Sequence, residues 1–165
     1  MRHLSIVVTA ICLGVVTMAT CVAAPEPVSE EAPGTDPDVD AINAAYDQSL
    51  ATQKEGDVDA WLALFTEDVV FMPPNQIVVA GKEAIRAVVQ PFLEQFTLEQ
   101  SISLDELEVS GDWAFARGTR QFRATPKAGG DTLEQSVKFI HILRRQSDGT
   151  WKFSRWIWNG DSPAE

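Results

Sequence analysis

The chain has 165 residues, 45% of them apolar, and a formal net charge of −11. This length suits one domain with a substantial core. The acidic balance argues against nucleic acid as a partner, because phosphate groups would be repelled. Both cysteines, Cys12 and Cys21, lie close to the amino terminus. The rest of the chain therefore has no disulfide and must be held together by packing.

Residues 1–23 have the pattern of a secretory signal peptide. The positive start at Arg2 precedes an apolar run from Leu4 to Ala19, and Cys21-Val22-Ala23 resembles a cleavage site with small residues. The run is too short for a membrane span. We therefore expect a secreted or periplasmic protein. Lipid attachment at Cys21 is the competing interpretation.

Residues 24–37 are rich in Pro, Glu and Ser and have little apolar surface to bury. We interpret them as a disordered tether between the signal peptide and a domain over residues 38–161. Cleavage after Ala23 would leave residues 24–165 with 12 Lys and Arg against 24 Asp and Glu.

Helical periodicity dominates the first half of the domain. Apolar residues three and four apart predict a helix over Val39–Lys54, ended by Gly56, and a short second helix capped by Asp57. Two short apolar runs, 69–72 and 77–80, predict a hairpin. A third helix is predicted over 81–96, with Ile85, Val88, Val89, Phe92 and Phe96 on its buried side and a kink or end near Gln90 caused by Pro91.

Period-two alternation dominates the second half and predicts four strands: Ile102–Val109, Trp113–Ala124, Leu133–Arg145 and Trp151–Asn159. Helices followed by such strands predict an α+β domain with the helices gathered on one face of a curved, mostly antiparallel sheet. Strict alternation in the last strand puts Trp156 and Trp158 on one face and Trp151, Phe153 and Ile157 on the other, so both faces would need a cover.

Several local phrases carry a family resemblance. They are Glu55-Gly56-Asp57, Leu64 to Val70 (LFTEDVV), Gly81 to Ile85 (GKEAI) and Asp148 to Phe153 (DGTWKF). Their order and spacing resemble the nuclear-transport-factor-2-like (NTF2-like) superfamily, and within it the SnoaL-like and ketosteroid-isomerase-like branch. The resemblance implies a conical pocket between the first and third helices and the concave sheet face. It also implies a homodimer formed through the outer sheet face.

The resemblance also implies which side chains face the cone. On the last two strands these are Val137, Phe139, His141, Leu143, Ser154, Trp156 and Trp158, and on the strand before them Arg117, Thr119 and Gln121. The isomerase of this branch uses a carboxylate base, a tyrosine and a protonated acid. The matching places hold Pro73, Ser49 and His141, so a steroid-type double-bond shift is not expected.

His141 is the leading candidate for chemistry. An apolar wall would favour its neutral form, and it could act as a general base. The alternative is a core histidine bonded to Tyr46 or to backbone. Arg117 and Arg120 lie on opposite faces of one strand, so at most one faces inward, where it could anchor a carboxylate or phosphate; a surface ion pair is the alternative. Further expected ligand contacts are Tyr46, Trp61, Phe71, Phe139, Trp156 and Trp158.

No metal or cofactor is expected. One histidine, no cysteine and no close carboxylate spacing leave no ligand set beyond the signal peptide, and no nucleophile turn or phosphate loop occurs. Three functions remain: binding of a small apolar molecule, cofactor-free acid–base catalysis such as isomerisation, dehydration or hydrolysis with His141, and an interaction module with a filled cone at the cell envelope.

Overall fold

The computed structural model describes residues 36–161. The expected signal peptide and nearly all of the expected tether lie outside the described residues. The first helix, α1 (Pro37–Glu55), begins where the Asp36 carboxylate accepts a hydrogen bond from the Asp38 amide at 3.0 Å. It ends at Gly56, whose φ of 76° is left-handed and favours glycine.

Two further helices follow. Helix α2 (Val58–Ala63) is capped by Asp57, whose carboxylate accepts from the Ala60 amide at 2.9 Å. Helix α3 (Lys82–Gln95) continues through Pro91, so of the predicted kink or end near Gln90, the end does not occur. Pro91 removes the bond to the Ala87 carbonyl, but both residues are exposed, so water can satisfy that carbonyl. No helix of the described residues is long and apolar enough to cross a membrane.

The six strands form one sheet in the order β2-β1-β6-β5-β4-β3. Their bounds are β1 Phe65–Met72, β2 Val79–Ala80, β3 Phe96–Ser110, β4 Trp113–Pro126, β5 Leu133–Arg145 and β6 Trp151–Gly160. Strands β1 and β6 pair in parallel, and the other neighbours pair antiparallel. Helices followed by a curled six-stranded mixed sheet confirm the predicted α+β fold class.

A bulge at Ser154 changes the faces of the last strand. Leu143 pairs with Phe153 and Ile142 pairs with Arg155, which leaves Ser154 without a partner residue. The extra residue brings Trp151 and Phe153 to the same side as Trp156, and all three are buried in the main core. The prediction that Trp151 and Phe153 face away from Trp156 is therefore wrong, because strict alternation does not hold across a bulge.

Strands β3 and β4 approach each other closely near a second bulge. A bulge at Asp105 lies between the pairs Leu104–Gly118 and Glu106–Arg117. A Cβ atom on Gly118 would lie 2.0 Å from the Ser103 carbonyl oxygen, so only glycine fits there. Side chains on the inner side of this sheet pack against α1, α2 and α3, and the candidate site lies in that space.

Candidate functional site

His141 lies at the centre of the inner sheet face and is 1% exposed. Its Nδ1 shares a 2.9 Å hydrogen bond with the Tyr46 hydroxyl on α1, and its Nε2 is buried without a hydrogen-bond partner among the described residues. Burial, and then the positive charge of Arg120, lower the pKa of His141 well below its ordinary value. The imidazole is therefore neutral at pH 7.

Aromatic rings close around His141. Its centroid lies 3.8 Å from that of Trp156 and 4.1 Å from that of Phe139, both nearly parallel to it. Against Trp156, Trp61 packs edge-on, Phe65 is tilted and Phe71 is stacked. Five of the predicted contact residues, Tyr46, Trp61, Phe71, Phe139 and Trp156, are thus brought together. Together with Phe65 they pack closely around the imidazole, which is nearly inaccessible to solvent.

A buried polar network runs beside this aromatic cluster. The Trp61 indole donates to Ser49 Oγ at 3.0 Å, and the Gln53 amide nitrogen donates to the same oxygen at 3.2 Å. The Gln53 amide oxygen accepts from Arg120 Nη2 at 3.3 Å and from the Gln100 amide nitrogen at 3.4 Å. Arg120 also donates to Gln100 Oε1. The network joins α1, α2, β3 and β4 through neutral partners around one guanidinium.

Arg117 is not the inward arginine of β4. Its side chain is 51% exposed and pairs with Glu106 at 2.6 Å and Asp105 at 3.3 Å. Arg120 faces inward instead, because β4 pairs with β5 in a register that sets Arg120 opposite the buried Val137 and Gly118 opposite Phe139. The inward orientation expected for Arg117 is therefore wrong. Thr119 and Gln121 lie on the same strand face as Arg117, so the inward orientation expected for them is wrong as well.

An open pocket of about 310 Å³ lies at the mouth of the cone. One wall comes from Ile85, Val88 and Phe92 on α3, and the facing wall from Phe122, Leu133 and Trp158 on the sheet. Val88, expected on the buried side of α3, is 57% exposed, and Leu133 is 44% exposed. Their exposure is explained by their position, because they line the pocket rather than the closed core.

The ends of β1 and β2 and the segment between them form the rest of the rim. Phe71, Pro73 and Val79 add apolar surface, and the side chains of Gln76 and Gln135 are the polar groups of the lining. Mostly apolar walls with a few polar groups are the usual composition of a small-molecule site. A larger depression of about 500 Å³ crosses β3, β4 and β5, but its lining is polar apart from Phe122, which is typical of an exposed sheet surface.

Sequence reasoning found Trp158 and Phe71 but not the remaining pocket residues. Phe92, Phe122 and Leu133 have the spacing of ordinary helix and strand residues, so the sequence predicts no ligand role for them. It also does not predict that Gln53 and Gln100 belong to the buried polar network, because amide side chains are common on exposed faces. The described residues contain no group of three or more His, Cys, Asp or Glu side chains that could hold a metal ion.

The sequence of the domain matches one family. Residues 39–154 match the model of the SnoaL-like domain, and the chain belongs to that family. No curated protein matches it.

Solved structures share the fold over most of the domain. A ketosteroid isomerase-like protein from Erwinia carotovora atroseptica is 26% identical, with a TM-score of 0.68, 78% of this chain and 99% of that chain covered. A conserved protein from Planctomyces limnophilus is also 26% identical, with a TM-score of 0.70 and coverages of 74% and 97%. An NTF2-like protein with a cystatin-like fold from Novosphingobium aromaticivorans is 18% identical, with a TM-score of 0.65 and coverages of 77% and 84%. These likenesses show a shared fold, and the family model identifies the domain as SnoaL-like.

Proposed function

We propose that this protein binds a small, largely apolar molecule in the pocket at the mouth of the cone. The observation that carries the proposal is the pocket itself. It has a volume of about 310 Å³, and its walls include the exposed side chains of Val88 and Leu133. This volume is at the lower end of the range for small-molecule sites. An apolar ligand there would cover surface that now contacts water, and burial of that surface would favour binding.

Binding is favoured over acid–base catalysis by the burial of His141. A substrate in the pocket would reach Nε2 only after surrounding side chains moved, since this nitrogen is shielded from solvent and His141 does not line the pocket. The alternative function, cofactor-free catalysis with His141 as base, rests on the unpartnered Nε2. The open pocket also argues against the third function, an interaction module, which requires a filled cone.

The test is binding of a neutral fluorescent probe, 1-aminoanthracene, to the purified full-length chain and to two variants. Val88→Gln places a polar amide on the pocket wall and should weaken binding about tenfold or more. Ala87→Gln puts the same side chain at an exposed neighbouring position of α3 outside the lining and should leave binding unchanged. Equal binding by both variants would refute the pocket as the ligand site.

Catalysis is tested separately at His141. His141→Gln keeps a hydrogen-bonding group near Tyr46 but removes the base. We expect probe binding to persist, because His141 does not line the pocket. A reaction found on any bound compound that disappears in this variant, with binding intact, would support the catalytic alternative.

We further propose that the protein is exported and dimeric. The outer sheet face carries Ile140, 47% exposed, opposite Ile157 on the next strand, which suits a second copy of the chain. Ile140→Glu should then convert a dimer to a monomer in size-exclusion chromatography with light scattering, while a monomeric wild type would refute dimerisation.

For export, mass spectrometry of the protein from its host should give Ala24 as the first residue; a lipid on Cys21 would establish anchoring instead.

A further inference from the structure

Arg120 is a charged group held inside the cone without a counter-ion. Its guanidinium bonds to the neutral amide oxygens of Gln53 and Gln100, and its Nε is shielded from solvent without a hydrogen-bond partner among the described residues. Burial lowers its pKa to about 10, which still leaves it protonated at pH 7. A buried charge that lacks an opposite charge is costly to keep.

Five of the other six described arginines show that carboxylate partners are available to this chain, and the sixth, Arg144, is exposed to water. Arg86, Arg123 and Arg155 each form an ion pair with an acid, as do Arg117 and Arg145. The described residues give Arg120 no such pair, although the sequence has 24 Asp and Glu. The most enclosed of these guanidinium groups is thus the one whose charge is not balanced by the chain.

Arg120 lies directly behind the pocket. Phe122, two residues further along the same inner strand face, lines the pocket, and the Arg120 guanidinium carbon lies 5.3 Å from the centre of its ring. Gln135, the neighbour of Phe122 on β5, supplies one of the polar groups of the lining. The inner end of the apolar pocket therefore meets a positive charge, and a side-chain rotation of Phe122 would connect the two.

We propose that the ligand of the mouth pocket is an amphipathic carboxylate, with its apolar body between α3 and Trp158 and its carboxylate on the Arg120 guanidinium. This inference rests on the proposed binding function and names its ligand class. A planar guanidinium matches the two oxygens of a carboxylate, and the pairing is strong where water is excluded. The ligand would supply the acid that the chain itself does not place beside Arg120.

The test compares two probes of equal chain length, octanoate and 1-octanol, as competitors of 1-aminoanthracene on the full-length protein at pH 7. The wild type should bind octanoate at least tenfold more tightly than 1-octanol. Arg120→Gln should bind the two about equally and leave 1-octanol binding unchanged, while Arg120→Lys should keep part of the preference. Thermal unfolding of each variant establishes that it is folded.

The outcomes separate the two proposals. If both compounds compete equally in the wild type, and Val88→Gln weakens both, the pocket is a binding site but the carboxylate inference is wrong. If octanoate is preferred but the preference survives in folded Arg120→Gln, a group other than Arg120 binds the carboxylate and the inference is also wrong. If neither compound competes and Val88→Gln binds the dye as Ala87→Gln does, the proposed function itself has failed.

Discussion

His141 and Trp156 lie face to face on neighbouring strands, with ring centroids 3.8 Å apart and an angle of 27° between the planes. They are directly paired in the β5–β6 register. A protonated imidazole there would be buried among rings and near the Arg120 charge, which is why its pKa is lowered. The stability of the fold should therefore depend on the neutral state of this one histidine.

The first prediction concerns pH. His141 takes up a proton more readily in the unfolded chain than in the folded one, so its contribution to the free energy of unfolding is full above the unfolded pKa of about 6.5 and declines as the pH falls below it. The free energy of unfolding should therefore be lower at pH 5 than at pH 7.5, because burial lowers the pKa of His141 in the folded chain. Urea denaturation of the wild type and of His141→Gln at both pH values measures it, and the variant should lose less. An identical loss in both would show that other groups are responsible.

The second prediction separates two tryptophans of β6. Trp156→Ala should destabilise the fold by about 3–5 kcal/mol, because Trp156 is 3% exposed in the aromatic core. Trp158→Ala should cost less stability and weaken probe binding more, because Trp158 is only partly buried and lines the pocket. Denaturation curves and dye titrations on both variants give the two quantities, and dimerisation should be little changed by Trp158→Ala. Parallel losses of folding and binding would mark Trp158 as a core residue.

The third prediction uses the arginine that proved to lie outside. Arg117→Ala breaks half-exposed ion pairs with Asp105 and Glu106, so the free energy of unfolding should fall by less than about 1 kcal/mol and binding of octanoate should not change. It is the matched control for Arg120→Gln on the same strand. A loss of octanoate binding in Arg117→Ala would contradict the assignment of the inward arginine.

The fourth prediction tests the close contact between β3 and β4. Gly118→Ala adds a methyl group that would lie 2.0 Å from the Ser103 carbonyl oxygen, so β3 must shift. We expect a loss of about 2 kcal/mol or more of unfolding free energy, within the range of large point-mutant effects. Ala116→Gly, at the neighbouring inward position of the same strand, removes a methyl group without a clash. Unchanged stability in Gly118→Ala would mean that the strands are less tightly placed.

The sequence predicts the fold well because its apolar periodicity changes from helical to alternating near residue 100, and because Asp57 and Gly56 mark helix ends. It predicts the inner face of β5 for the same reason. It does not predict which arginine of β4 faces inward, since that depends on the register with β5, and a turn of uncertain length precedes β5. Val88 has the helical spacing of a core residue, and spacing alone does not distinguish a closed core from a pocket wall.

The bulge at Ser154 makes the length of β6 as important as its composition. Because it reverses the alternation midway, the strand directs Trp151, Phe153, Trp156 and Trp158 to one interior. Deleting Ser154 would restore simple alternation. Either Trp151 and Phe153 before it, or Trp156 and Trp158 after it, would then turn to the other side of the sheet. A single small residue, itself fully buried and far smaller than its neighbours, thus keeps the core side chains and the pocket-lining Trp158 on the same side of the sheet.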